Sequence, residues 1–527
     1  MATQMPAVTG VFTRASSGLV RQVKTRDVVF YGVSQIALSY IVFVVLAWGA
    51  YPGASMPLAA LIATVGGLAM GICYAMFATL YPRTGGEYVY LSRTLSPVVG
   101  FVVSFSFAFW EAFYAGVSGA FLSLYSISPF LAGLGLQLKN QGLLNAATWF
   151  NHGWGIFLGG SAAIVLLIVL QIRGAGVYFR WQRWAAYAAF ASIGITLIVL
   201  LLAATGVLDF KSNFDSLAGT GAYNKIVAQG VKAGLAPSAP FNLGNTINFM
   251  IWPAFSIWFA VASTSFSGEI KNVQRSQLIG ISGAIVLMGI AFIALTWLYQ
   301  AVFGSSFLLA TAVNGVPVQA PPYVPFFTAV AGGNALLTIL MSVWVVFIAV
   351  FVIGTTLIYA SRASLAWSID GVAPEWLGNV NERFHSPHNS LLLWGVVAEI
   401  FLALYAFTTV LGPISGFLGL ALSFLVVSVW SIFYPFVRKE QFDNSAIAWR
   451  VGGFPLMSLL GIIASIVVVY GFYRLAVDSA YSSNLGFADG GALVVMVFAA
   501  IWFFAFKAYR QRQGVDINRR YAEIPIE

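Results

Sequence analysis

Charge is the scarcest feature of this sequence of 527 residues: 8% are Asp, Glu, Lys or Arg, against 60% hydrophobic. Soluble domains carry about 25% charge, so a water-soluble globule is excluded and an all-α polytopic membrane protein is expected. The one cysteine, Cys73, excludes an intramolecular disulfide and a cysteine-rich metal site. Histidine is nearly as rare. His152, His385 and His388 fall outside the apolar runs, and the last two read as a loop pair because no further ligands cluster with them. No Gly-rich phosphate loop with a lysine is present, which excludes an ATP-driven pump. No nucleophile, histidine and acid are grouped within the apolar runs, so no enzyme, catalytic residue or cofactor is expected. The first 27 residues are polar and basic without an apolar core, so no signal peptide is expected.

Long apolar runs fill most of the chain. Twelve have the length of about 20 residues that a membrane span needs. They lie near 29–50, 57–81, 97–125, 153–173, 183–206, 246–269, 277–303, 333–362, 389–409, 413–437, 453–477 and 489–508. Twelve spans put both termini on one side. That side holds 21 of the 26 Lys and Arg residues, leaving Lys139, Lys211, Lys225, Lys232 and Arg474 on the other. Such asymmetry places the tails 1–28 and 509–527 in the cytoplasm of a cell-membrane protein. It also accounts for the net charge of +9 without nucleic acid. The outer stretch 207–245 is rich in Gly, Pro, Asn and Ser and reads as ordered turns or short helices.

One run stands apart. Asn245 to Arg275 is apolar enough to cross a bilayer, yet Pro253 sits about a third of the way in. Proline lacks a backbone donor, so the helix is predicted to kink or open there. Lipid cannot satisfy freed backbone groups, so an opening survives only inside protein or beside a polar cavity. The alternative is a kinked helix with no further role, since proline is common in membrane spans. Glu111, in the middle of the third run, is the other exception, because an ionisable group at that depth is costly and marks a functional candidate. It could bind a substrate amine or carry a proton, or it could be a structural carboxylate bonded to neighbouring helices. Glu399 in the ninth run is a second embedded acid, better suited to a structural role.

Three cytoplasmic corners carry a family resemblance. Pro82, Arg83, Gly85, Gly86, Glu87 and Tyr88 match a PRxGGEY signature in which proline ends a helix, the glycines permit positive φ and Glu87 can pair with arginines. Glu269, Lys271, Asn272 and Arg275 fit EVKNPxR, with Val273 in place of its proline. Ser361, Arg362, Asp370, Gly371, Pro374 and Pro387 fit a third pattern. Together these resemble the amino acid–polyamine–organocation (APC) superfamily of permeases over roughly residues 25–440.

The resemblance implies a leucine-transporter-like fold: two inverted repeats of five helices, 29–206 and 246–437, with two further helices at 453–508. Helices 1 and 6 would be broken at mid-membrane, with the substrate between them. Alignment to the family puts Gln35, Ser39, Tyr40, Phe255, Ser256, Trp258, Phe259 and Ala260 around the site, with Glu111 beside them. Neither broken helix keeps its usual glycine, so a bare carboxylate held by exposed amides is not a secure expectation. The crowding of Tyr40, Phe255, Trp258 and Phe259 favours apolar or aromatic substrates over arginine-like ones. For coupling, Thr355 and Thr356 occupy the region where sodium-coupled relatives place hydroxyls. The lysine that some proton-coupled relatives carry in the fifth helix aligns with Ala189. Glu111 is then the better proton carrier.

The function this resemblance implies is that of a secondary active transporter, moving an amino acid or small amine by alternating access. It would be coupled to protons or exchanging, with H+ or Na+ as the possible ion. The partners implied are a small-molecule substrate and the bilayer. A non-transporting receptor of the same fold, or a sodium symporter of another small organic solute, stands as the alternative. A channel is disfavoured by spans lined with Phe and Trp.

Overall fold

The computed structural model describes residues 18–36, 45, 47–233, 235, 239–412, 414, 416–482 and 484–522. Among these, eleven helices are long and apolar enough to cross a membrane, which makes the chain an all-α multi-pass protein. They account for the second to twelfth expected runs. The first expected run begins as the helix α1 (Thr25–Gln35), but most of its remainder lies outside the described residues.

The helices that frame the site follow in order. α2 (Met56–Leu80) leads through the Pro82–Gly86 corner to the short α3 (Glu87–Thr94) and then α4 (Pro97–Phe121). α5 (Gly153–Ile172) and α6 (Ala175–Ala204) complete the first half. The Pro253 segment contributes α7 (Leu243–Phe249) and α8 (Ile251–Ile257). α9 (Val273–Phe303), α10 (Ala335–Ile369), α11 (His388–Phe407) and α12 (Phe417–Val437) come next. α13 (Leu456–Val477), α14 (Leu485–Arg512) and the short α15 (Ile517–Tyr521) end the described chain.

Lipid is as apolar as leucine, so packing inside the bilayer depends on close contact between small residues. α1 and α9 show this. A Cβ on Gly280 would sit 2.4 Å from Val28 Cγ1, and one on Gly32 would sit 2.7 Å from Ala284 Cβ. Only hydrogen at these two positions lets the helices touch. α2 lies against α9, α10 runs between α4 and α6, and α1 meets both α10 and the stretch Trp258–Ser265 that follows α8.

The Pro82–Gly86 corner closes around the end of the Pro253 segment. Gly85 and Gly86 take φ of +120° and +58°, which a side chain would resist. The turn lets Gly85 N–H donate to Ser265 O at 2.8 Å. On the other side, Gln22 and Val23 N–H groups both donate to Glu269 O at 3.0 Å. Extended chain from two distant parts of the sequence thus clamps residues 265–270.

Candidate functional site

The Pro253 segment does not run as one α-helix. Met250 separates α7 from α8, and from Trp258 to Ser265 the chain tightens into a 3₁₀ helix. Met250 itself keeps right-handed helical dihedrals (φ −51°, ψ −27°), and the helical bond missing at this point is the one that Pro253, without an N–H, cannot donate to the carbonyl of Phe249. Pro253 is the third residue of α8, in the first turn, where its missing N–H costs least. Ala254 N–H still reaches Met250 O at 3.0 Å.

Opposite this segment stands Glu111 on α4, 1% exposed. Both its carboxylate oxygens lie 3.0 Å from Gln35 Nε2, in the last turn of α1. Two of the residues singled out from sequence are thus joined directly across 76 positions. Gln35 Oε1, Ser34 Oγ and Ser256 Oγ are buried without a hydrogen-bond partner among the described residues. A buried hydroxyl or amide oxygen is rarely left unpaired. Orphaned groups on α1 and α8 are what a polar ligand would satisfy.

Aromatic rings wall the same region. Phe259 packs on Phe107 and Phe424 with ring centres 6.1 and 5.7 Å apart, and Phe255 on Phe259 at 6.3 Å. Phe107 is one turn before Glu111 on α4. Trp258 packs its indole over Gly67 of α2, with Nε1 3.4 Å from Ala63 O, and its ring also meets Phe255 and Phe424, with centres 5.8 Å away in each case. Ala260 faces the α1 crossing beside Gly32. Thr355 and Thr356 donate back to their own helix, Thr355 to Phe351 O at 2.9 Å and Thr356 to Val352 O at 2.8 Å. Ser39 and Tyr40 lie outside the described residues.

A cavity of about 210 Å³ opens one turn beyond Glu111, on the side away from the Pro82–Gly86 corner. Its wall includes Phe113, Tyr114, Trp252, Tyr405, Leu411 and Phe417. Phe255 joins it to the rings around Phe259, since its ring centre is 4.8 Å from that of Phe417. None of these wall residues stands out in the sequence. Two signals pointed to them: Tyr114 is one turn from Glu111, and Trp252 precedes Pro253.

The corner chemistry differs from expectation. Glu87 does not pair with an arginine; it accepts a hydrogen bond from the Tyr359 hydroxyl of α10. The arginines of the neighbouring motifs are taken by other acids. Arg362 binds Glu269 through Nε at 2.9 Å and Nη2 at 3.3 Å, and Arg93 binds Asp370 at 2.7 Å. With hydroxyls and no cation beside it, and 2% exposed, the Glu87 carboxyl is pushed up to about 7, chiefly by burial. Glu399 accepts from Ser161 Oγ at 2.5 Å between α5 and α11, away from Glu111. His385 and His388 each face a backbone carbonyl, and no group of three metal-ligating side chains occurs among the described residues.

Comparison with known proteins agrees with this architecture. The family described as "Amino acid permease" matches residues 24–508. The branched-chain amino acid permease BcaP of Lactococcus lactis subsp. cremoris (strain MG1363) is 26% identical over 477 residues, covering 89% of this chain and 92% of that protein. The methylthioribose transporter of Bacillus subtilis (strain 168) is 23% identical over 473 residues, covering 87% and 89% respectively.

Proposed function

Because this chain belongs to the amino acid permease family of the APC superfamily, we propose that it carries a neutral amino acid or a similarly sized neutral organic molecule across the cytoplasmic membrane by alternating access. The observation that carries this reading is the buried Glu111–Gln35 pair with orphaned Gln35 Oε1, Ser34 Oγ and Ser256 Oγ around it. A polar head would bind there, and an apolar side chain would lie against Phe107, Phe255, Phe259 and Phe424. The names of the two relatives, a branched-chain amino acid permease and a methylthioribose transporter, fit a neutral substrate with an apolar end.

Proton coupling is the second part of the proposal. Glu111 has no cation partner among the described residues, and an uncompensated carboxylate in a low-dielectric interior favours its neutral form. Sodium coupling through Thr355 and Thr356 is weaker, since both hydroxyls bond their own helix. A bundle of the first, second, sixth and seventh spans would rock against the rest, with both termini cytoplasmic, a placement that the Lys and Arg distribution supports.

The test is uptake into proteoliposomes from a panel of the twenty amino acids, polyamines, decarboxylated amines and methylthioribose, with and without an inward proton gradient. Leucine uptake that rises with the gradient is the expected result. No uptake of any compound refutes the transport assignment; uptake that ignores the gradient refutes proton coupling alone.

A further inference from the structure

Among the described residues, Glu87 and Glu111 are fully buried acids without a cation, and the transport reading uses only Glu111. Glu87 is the second. Its neighbours are hydroxyls: Tyr359 on α10, Tyr74 on α2, Tyr90 on its own helix and Ser423 on α12, which also lies 2.8 Å from Tyr74 Oη. Arg362, one turn along α10 from Tyr359, is held by Glu269, and Arg93 by Asp370. No described Lys, Arg or His forms an ion pair with Glu87. The acid on the adjoining α4 is Glu111.

Tyr359 sits between Glu87 and the wall of the Glu111 region. Its hydroxyl donates to Glu87, and its ring packs on Phe107, one turn from Glu111, with centres 4.6 Å apart. A carboxyl that needs no counter-ion when protonated, beside a phenol that both donates and accepts, is suited to holding and passing a proton.

We propose that Glu87 is a second proton-binding group of the transport cycle, an inner station separate from Glu111. Glu87 becomes neutral when it takes up a proton and ionised when it releases one, and the Tyr359 phenol donates to its carboxylate in the ionised form. Glu87 lies at the cytoplasmic corner, so the proton leaves inward from there. This inference rests on the proton-coupled reading of Glu111.

Infrared difference spectra of the full-length protein in lipid, taken between about pH 5 and about pH 9, read protonated carboxyls without any substrate. Wild type is expected to show a carboxyl band that titrates near neutrality. Glu87→Gln should remove it, and Tyr359→Phe, which keeps the ring, should shift it. A band unchanged in both variants overturns the inference. In proteoliposomes with leucine as the probe, Glu87→Gln should lower gradient-driven accumulation by at least about tenfold, with partial rescue by Glu87→Asp. If wild type responds to the gradient and Glu87→Gln responds equally, the inner station is refuted while the Glu111 reading stands. If wild type itself ignores the gradient, proton coupling fails, and with it the role of Glu87 in transport, whatever the infrared result.

Discussion

The ion pair between Arg362 and Glu269 offers a direct test of how the inner half of the protein is held. Arg362 is 2% exposed and Glu269 1%, and two N–H groups of the guanidinium face the two carboxylate oxygens. The pair fastens α10 to the end of the 3₁₀ segment, and the backbone oxygen of Glu269 also anchors Gln22 and Val23. Replacing Arg362 with Met leaves a carboxylate buried and alone, which costs about 3–5 kcal/mol. Replacing both partners, Arg362→Met with Glu269→Leu, removes the stranded charge, so most of that loss should return. The assay is denaturant unfolding of the purified protein in detergent, followed by tryptophan fluorescence, for wild type, both single variants and the double variant. Coupling of about 2–3 kcal/mol between the two positions is expected. Losses that simply add, to within about 0.5 kcal/mol, would refute the claim that the two residues act as a buried pair.

Glu87 predicts a pH signature of stability. Its folded value of about 7 lies above the ordinary 4.5, so the native state is favoured by protonation. Its contribution is complete below about pH 4.5, falls through the window from 4.5 to 7, and about 3 kcal/mol is lost above it. Glu87→Gln should flatten that dependence in thermal scans run at a fixed rate; an identical slope in variant and wild type would contradict it. Glu111→Gln should weaken transport or its pH dependence, and unchanged uptake rates at every pH would remove its assigned role. Gly67→Val should push Trp258 off α2, because even a Cβ there would sit 2.9 Å from its Cδ1. A cost of about 1–3 kcal/mol is expected from such overpacking, and an unshifted melting curve would count against the packing described.

Much of the architecture was legible in the order of residues. Apolar runs of about 20 residues are a local signal, and eleven of the twelve expected spans appear as long helices among the described residues. Glu111 and Gln35 were legible as candidates because a buried acid and a polar residue in an apolar run stand out against their neighbours. The tightening into a 3₁₀ helix from Trp258 to Ser265 was not. It lies beyond Pro253, where no residue in the sequence removes a backbone donor. Trp258 shows a second limit: its hydropathy is the same whether it faces a substrate or Gly67, and only the rotation of its helix decides.

The sequence by itself determined that this chain lives in a membrane, how its apolar runs are spaced, and which permease motifs mark the corners between them. These depend on residue type summed over short windows, or on turns that only Gly and Pro permit. The tertiary structure alone decided who meets whom. It gave Glu87 to Tyr359 rather than to an arginine, Arg362 to Glu269, and Glu111 to Gln35. It also built a cavity wall from Tyr114, Trp252 and Phe417, which come from three separate segments. Such partnerships depend on the phase and crossing of helices far apart in the chain, and in a sequence with so few charges each acid has many possible neighbours but room for only one or two.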